Sequence, residues 1–198
     1  MAIKSINPAT GNVDKIYPPM SSADIEQRLA AGAAAYRDYR WTSLSERSQW
    51  LHAAADYLED YADDLGRLIT QEMGKPLGSA VAEVKKCAWV CRHYAEHGAD
   101  YLADERSDTG YVRYQSLGIV LAVMPWNYPL WQVFRLAAPA LMAGNVVVLK
   151  HASNVPQCAL AIERVFHKAG FLKGVFQTLL IGADQTAAVV ADERVRGV

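Results

Sequence analysis

Three short apolar segments, separated by stretches long enough for a helix, place the strongest constraint on how this chain can fold. They span residues 118–124 (GIVLAVM), 145–150 (NVVVLK) and 175–181 (VFQTLLI). A strand that is apolar throughout is usually covered on both faces, and parallel strands need crossover connections of about a dozen residues or more. Helices predicted over 129–142 and 155–168 provide such connections, and right-handed crossovers place helices on both faces of a sheet. The pattern predicts a doubly wound parallel sheet.

The first half of the chain has the pattern of helices. Apolar residues recur at three- and four-residue spacing over 45–73 and 77–102, and a shorter helix is predicted after Ser22. Ser43 and Glu46 have the spacing of a capping box, in which each side chain binds the free backbone N–H of the other residue. We expect three helices before the sheet begins.

The change from helix to strand patterns falls at residues 106–110, where Ser, Asp, Thr and Gly gather. A half-exposed strand is predicted over 111–115, and residues 195–198 (VRGV) resemble the opening of a further strand. The fold class is therefore α/β. A helical arm, residues 1–107, precedes the first part of a Rossmann-like, doubly wound parallel sheet, residues 108–198.

Composition excludes several classes of partner. The 198 residues are 52% hydrophobic, and 20 Lys and Arg balance 21 Asp and Glu to a net charge of −1, so no field draws in nucleic acid or an anionic membrane. The longest apolar run is far shorter than the ~18 residues that a membrane span needs. Three cysteines, an odd number, favour reduced thiols and a cytoplasmic location. We expect neither a nucleic-acid partner nor a membrane partner.

Ligands of such a sheet bind beyond the carboxyl ends of its strands, which directs attention to the residues that follow each strand. No GxGxxG pattern occurs there. Lys150 ends an apolar strand, where it either reaches a ribose or phosphate group or is simply a solvated strand end. Asn127 follows another strand, where it either caps the next helix or presents an amide N–H to a developing oxyanion. Arg135 falls on an otherwise apolar helix, where an unpaired guanidinium is costly, and we expect a carboxylate partner from either the protein or a substrate.

Other chemistry is less well supported by the residues. Cys87 and Cys91 share a helical face and Cys158 lies within another helix, so packing in the core is favoured over a nucleophilic role. The five histidines provide no complete ligand set, and no metal site is predicted. A GxSxG nucleophile pattern is absent.

The segments MPWNYPLWQVFR (124–135) and PALMAGNVVVLKHAS (139–153) resemble the aldehyde dehydrogenase superfamily. The resemblance extends from NPATG (7–11) through EMGKP (72–76) to the end of the chain. Members of that family run to more than twice this length, so the resemblance implies an N-terminal portion. It also implies attack of a cysteine thiolate on an aldehyde, hydride transfer to a nicotinamide, and hydrolysis of the thioester by glutamate-activated water. That cysteine and that glutamate are expected after residue 198.

The resemblance also implies roles for particular residues. Asn127 matches the asparagine that helps to form the oxyanion hole, and it is the predicted catalytic residue. Cofactor binding is implied for Trp126, Asn127, Lys150, His151, Ala152, Ser153 and Gly182. His151 departs from the proline that is common at its place in the family. For a complete enzyme of this kind, the resemblance implies NADP or NAD as cofactor, a small-molecule aldehyde as substrate, and a homo-oligomer.

Two positions refine these expectations. Ser153 stands where strictly NAD-using relatives often carry a glutamate that repels a 2′-phosphate, so NADP, or both cofactors, is the hypothesis. Arg135 matches an arginine of succinate-semialdehyde dehydrogenases that faces the substrate carboxylate, and succinate semialdehyde is the expected substrate. Leu136 replaces a lysine that is frequent in relatives. Three alternatives stay open: an aldehyde dehydrogenase for another short aldehyde, a nucleotide-binding module without catalysis, and an assembly module that pairs through the strand predicted over 111–115.

Overall fold

The computed structural model describes residues 2–198, which form seven helices and eight strands. The helices are α1 (Ser22–Tyr39), α2 (Leu44–Asp60), α3 (Ala62–Met73), α4 (Leu77–Tyr101), α5 (Trp131–Met142), α6 (Pro156–Lys168) and α7 (Ala183–Val190). The strands are β1 (Ile3–Ile6), β2 (Val13–Tyr17), β3 (Glu105–Ser107), β4 (Gly110–Val112), β5 (Ile119–Met124), β6 (Val146–His151), β7 (Phe176–Thr178) and β8 (Val195–Gly197). None of the helices within residues 2–198 combines the length and the apolar character that crossing a bilayer requires.

Strands β5 to β8 form one parallel sheet in the order β7, β6, β5, β8. The three predicted strands and the helices between them are confirmed, although the strand predicted over 175–181 is shortened to Phe176–Thr178. Residues 195–198 do contribute a fourth strand beside β5. The chain moves outward from β5 through β6 to β7 and then returns to the other side of β5. The strand order therefore reverses between β5 and β8, which is where ligands of open α/β sheets bind.

Helices cover both faces of the sheet, as predicted. Gln177 donates a hydrogen bond to the carbonyl of Arg28 in α1, 2.9 Å away, whereas Thr178 donates to the carbonyl of Ala159 in α6, 3.1 Å away. Consecutive strand residues point to opposite faces, so α1 and α6 lie on opposite sides. On the α6 side, α2, α3 and α4 add a further helical layer against α5 and α6.

The helix predicted over 45–73 is wrong as a single element, because it breaks at Tyr61 into α2 and α3. Tyr61 has non-helical backbone angles (φ −107°, ψ 21°) although no Gly or Pro is present there. Both pieces bury their apolar face against α4, so the apolar spacing continues across the break and conceals it. The capping box is confirmed, since Ser43 and Glu46 exchange hydrogen bonds. Gly74 ends α3 in the left-handed conformation (φ +77°), as glycine commonly does.

Two antiparallel hairpins differ from the expectations. β1 and β2 pair near the N-terminus, where we predicted no strand. β3 and β4 pair across the segment expected to be irregular, and the strand predicted over 111–115 is shortened to Gly110–Val112. The residues of β3 and β4 are exposed, so mutual hydrogen bonding rather than a buried face defines them, and periodicity gives little sign of such strands. The buried apolar side chains form one cluster, whose members lie between Leu29 and Val189 in the sequence. The cluster includes residues of both the helical arm and the sheet.

Candidate functional site

The parallel register of β5 and β6 brings two candidate segments to the same edge of the sheet. Val123 pairs with Lys150 and Met124 pairs with His151, so the two strands end side by side. The N–H of Ala152 donates to the carbonyl of Met124 at 2.9 Å, which extends the pairing to the strand ends. The Trp126–Asn127 loop therefore starts next to the segment that contains Lys150 and Ser153.

The third strand adds residues to this edge. Leu179 donates to the carbonyl of Leu149 at 2.8 Å, and the chain continues from β7 to Gly182, the residue before α7. A small cavity of about 10 Å³ between the ends of β6 and β7 is lined by residues 151–153 and 179–181, among others. Segments after all three predicted strands thus meet at one edge, as the topology requires.

Asn127 and Trp126 both extend from the loop toward solvent. Trp126 is 49% exposed, and Asn127 is exposed with no side-chain hydrogen bond in the described part of the chain. The interpretation of Asn127 as a helix cap is wrong, because α5 starts after Leu130 and has no cap from its own loop. The amide of Asn127 is consequently free to donate to another molecule.

The start of α5 is capped instead by a carboxylate from α4. Glu83 is only 4% exposed, and its Oε1 accepts the N–H groups of Leu130 and Trp131 at 2.9 and 3.0 Å. The ammonium of Lys75 binds the other oxygen of the same carboxylate. A carboxylate at a helix N-terminus satisfies free N–H groups and interacts favourably with the helix dipole. Glu83 and Lys75 thereby fix the point at which the Asn127 loop enters its helix.

Glu72 does the same for α6. It is 3% exposed, and its two oxygens accept the N–H groups of Gln157 and Cys158 at 2.9 and 2.8 Å. Neither Glu72 nor Glu83 was among the residues predicted to form the site. The available signal was a charged residue on an apolar helix face, as at Glu83, which lies between Ala80 and Cys87. Both glutamates connect the helical arm to helices of the sheet.

The end of β6 and the residues that follow it present some side chains to solvent and others to the interior. Lys150 is half-buried and forms no ion pair in the region from residue 2 to residue 198, and Ser153 is exposed. His151, by contrast, is 4% exposed. The carbonyl of Pro129 lies 2.8 Å from its Nε2 and can only accept, so Nε2 carries the proton. The other ring nitrogen, Nδ1, accepts the N–H of Ala152 at 2.8 Å, and this N–H is shared with the carbonyl of Met124. His151 therefore connects the loop after β5 to the loop after β6.

The buried position of His151 makes the stability of this edge depend on pH. Burial lowers the pKa of His151 below its usual value of 6.5. As the pH falls below about 6.5, the unfolded chain takes up a proton that the folded chain resists, so the free energy of unfolding decreases. We expect His151→Gln to remove this part of the pH dependence, measured by urea denaturation at several pH values between about 7.5 and about 5. His167→Gln, which changes an exposed histidine of α6, should keep it, and identical pH profiles for wild type and His151→Gln would contradict the assignment.

Arg135 avoids the cost of burying an unpaired guanidinium in a different way from the one expected. It is exposed on α5 and has no carboxylate partner among the residues that the structure describes. A single guanidinium on an apolar helix can therefore remain solvated at the edge of the apolar face. The expected carboxylate partner is not supplied by residues 2–198.

The three cysteines are poor nucleophiles. Cys87, Cys91 and Cys158 are free and buried, and burial raises the pKa of each thiol above its usual value of 9.0. A thiol with a raised pKa contains little of the reactive thiolate at neutral pH. Packing in the core accounts for all three. Within residues 2–198 no group of three or more His, Cys, Asp or Glu side chains is arranged to hold a metal ion.

Comparisons with known proteins match the whole chain. The family model described as "Aldehyde dehydrogenase family" matches residues 1–198. A probable NADP(+) succinate-semialdehyde dehydrogenase of Synechocystis sp. is 51% identical over 200 residues, which cover 99% of this chain and 44% of that relative. A succinate-semialdehyde dehydrogenase of Mycobacterium avium, also named for NADP(+), is 50% identical, covering 98% of this chain and 43% of that relative. This chain thus spans less than half of the length of these curated relatives.

The fold agrees with the sequence match. The solved structure of succinic semialdehyde dehydrogenase from Streptococcus pyogenes, in complex with NADP+, superimposes with a TM-score of 0.94 and 35% identity. The superposition covers 98% of this chain and 44% of that one. Sequence and architecture agree from one end of these 198 residues to the other, and the chain belongs to the aldehyde dehydrogenase family.

Proposed function

We propose that this chain is the N-terminal part of an NADP-dependent enzyme that oxidises succinate semialdehyde to succinate. The observation that carries the proposal is the register of β5 and β6, which brings the Asn127 loop next to Lys150 and Ser153. Relatives that are about 50% identical over the aligned residues are named as NADP(+) succinate-semialdehyde dehydrogenases. Residues 1–107 and 108–198 are proposed to be two parts of one catalytic unit, which acts as a homo-oligomer in the cytoplasm.

The residues at this edge are suited to a phosphorylated dinucleotide. Lys150 offers three N–H donors without a carboxylate partner, and Ser153 offers a hydroxyl. Trp126, Ala152 and Gly182 frame the same edge, and α7 begins immediately after Gly182, where helix N–H groups favour negative charge. His151 acts indirectly, because its side chain is engaged with Ala152 and Pro129 and holds the two loops together. We assign cofactor binding to this edge.

The chemistry of the reaction is divided between this chain and the rest of the enzyme. A bound nicotinamide supplies the acceptor for the hydride that leaves the substrate carbon. Asn127 donates its amide N–H to the aldehyde oxygen as that oxygen gains negative charge, and the exposed, unpaired amide is available for this role. The thiolate that attacks the carbonyl carbon and the carboxylate that activates water are proposed to come from residues outside this chain. The buried thiols of Cys87, Cys91 and Cys158 fit that division.

Arg135 is proposed to bind the carboxylate of the substrate. In the full-length enzyme, we expect Arg135→Ala to raise KM for succinate semialdehyde about tenfold, since a hydrogen bond to a charged group contributes roughly 1.5 kcal/mol or more. KM for butanal, which has no carboxylate, should change less than about twofold. Steady-state rates of NADPH formation with the two aldehydes provide the test. Equal changes for both aldehydes would argue against a role in carboxylate binding.

Ser153 is proposed to permit binding of the 2′-phosphate of NADP. A glutamate at this position would set a negative charge against that phosphate, so Ser153→Glu should weaken NADP+ binding by about tenfold or more and leave NAD+ binding nearly unchanged. Isothermal titration calorimetry with each cofactor measures both effects. Ser107→Glu, which adds the same charge to the exposed β3 strand, is the matched control. A parallel loss of NAD+ and NADP+ affinity would contradict the assignment.

A second candidate function is a nucleotide-binding module without catalysis. It is favoured by the burial of all three cysteines. NADP+ titration combined with an aldehyde turnover assay on the full-length protein separates the two. Cofactor binding without turnover by the full-length protein would support the module, and turnover of an aldehyde would exclude it.

A further inference from the structure

A cavity of about 260 Å³ lies between α4 and the start of α5, next to the Asn127 loop. Its wall includes Tyr128 from that loop and Trp131 from the first position of α5. Lys75, which precedes α4, and Glu83 and Lys86 of α4 line the other side. We call this cavity the α4–α5 cleft. Tyr128 follows Asn127 directly in the chain, so the cleft opens beside the proposed reaction site.

The charges in the α4–α5 cleft do not cancel. Glu83 is the one acidic residue of its lining, and its carboxylate is already bound by Lys75 and by two N–H groups of α5. Lys75 also lies over the ring of Tyr128, with its Nζ 3.7 Å from the ring centroid. These two charges compensate each other, whereas Lys86 forms no ion pair with any residue from 2 to 198. The lining therefore has one uncompensated positive charge.

Lys86 is held in place by an aromatic ring. Its Nζ lies 4.0 Å from the centroid of the Trp131 ring, within the distance of a cation–π interaction. Such a contact positions the ammonium but leaves N–H donors free, because a ring face accepts far less hydrogen bonding than a carboxylate does. Lys86 is otherwise exposed, so a ligand can reach its ammonium group.

A second unpaired cation lies on the same side of α5. Arg135 follows Trp131 by four residues, and residues four apart in a helix are neighbours on one face. Trp131 thus has an ammonium over its ring and a guanidinium one turn further along the helix. An anionic group of a ligand in the cleft would face Lys86 in the cleft wall, with Arg135 one helical turn beyond Trp131. No carboxylate of residues 2–198 forms an ion pair with either cation.

We propose that Lys86 is a second specificity-determining residue, which binds the carboxylate end of the substrate together with Arg135. This inference rests on the proposed function, because the ligand is the anionic aldehyde named there. Lys86 selects for a substrate with a negatively charged terminus and has no part in the chemical step. A ligand without that charge gains nothing from the contact.

The test compares Lys86→Gln with Lys85→Gln in the full-length enzyme. Lys85 is the preceding lysine of α4, also exposed, and it does not line the cleft. Succinate serves as a probe that reports carboxylate binding without turnover. We expect Lys86→Gln to weaken succinate binding about fivefold in calorimetry, while Lys85→Gln stays near wild type and Lys86→Arg restores most of the affinity.

Kinetics provide the second readout. Lys86→Gln should raise KM for succinate semialdehyde by a similar factor and leave kcat and the KM for butanal unchanged. Unchanged succinate affinity in Lys86→Gln, or equal losses in Lys86→Gln and Lys85→Gln, would overturn the inference. Failure of the wild-type enzyme to oxidise succinate semialdehyde would instead refute the proposed function, and the succinate titration would still decide the role of Lys86.

Discussion

Replacing Asn127 by alanine in the full-length enzyme is expected to lower kcat for succinate semialdehyde by about 100- to 1,000-fold, the typical effect of removing one oxyanion-hole donor. The side-chain amide is exposed beside the strand edge and is not used by the fold, so its removal should leave the structure intact. KM should change little, because the interaction develops only as negative charge accumulates on the aldehyde oxygen. Steady-state kinetics with saturating NADP+ measure both parameters.

Asn12→Ala is the matched control for this experiment. Asn12 is an exposed asparagine near the turn between β1 and β2, remote in sequence from the proposed site. It should have wild-type kcat and KM. If Asn127→Ala kept more than about a tenth of the wild-type kcat, Asn127 would not be an oxyanion donor. The same result would leave the family assignment untouched, since that depends on the whole chain.

Replacing Glu72 by alanine should lower the free energy of unfolding by about 3 kcal/mol. The change leaves the N–H groups of Gln157 and Cys158 buried without an acceptor and removes the charge that stabilises the start of α6. A loss of this size is a large fraction of the roughly 5–15 kcal/mol that stabilises a typical domain. Urea denaturation followed by circular dichroism measures it, with the midpoint and the slope fitted separately.

Glu96→Ala provides the comparison on an exposed glutamate of α4. Its effect should stay within about 0.5 kcal/mol, as is usual for a surface position. Glu72→Gln is a more conservative variant, and it should also destabilise, because its NH₂ group faces an N–H donor in place of one carboxylate oxygen. Wild-type stability of both Glu72 variants would show that the cap of α6 contributes little.

Much of the fold could be predicted from apolar patterning. The runs at 118–124 and 145–150 contain strands, and helices lie between and after them, because fully covered strands and amphipathic helices have distinct patterns. The break at Tyr61 could not be predicted, since both helices bury the same face against α4. The exposed β3–β4 hairpin could not be predicted from the spacing of apolar residues either, because neither strand has a buried face.

The sequence indicated which loops form the candidate site, but not which side chains fix the positions of those loops. Asn127 and Lys150 were identified because they follow strands, and the register places them at one edge. The cap expected from Asn127 is supplied instead by Glu83, which lies more than forty residues earlier in the chain. No local rule connects a carboxylate in one helix with the N-terminus of another, because their proximity depends on how the helices pack.

The order of strands and helices and the placement of polar residues after strand ends follow from the sequence by itself, since each depends on residues close together in the chain. The family match also follows from the sequence, because it extends over the whole chain. The tertiary structure alone decided that Glu72 and Glu83 cap α6 and α5, that His151 connects two loops, and that Lys86 and Arg135 are cations without partners. The physical reason is that burial and hydrogen bonding between distant segments arise only when the helical layer packs onto the sheet. Desolvation and free N–H groups then determine which charges are compensated within the chain and which remain available to a ligand.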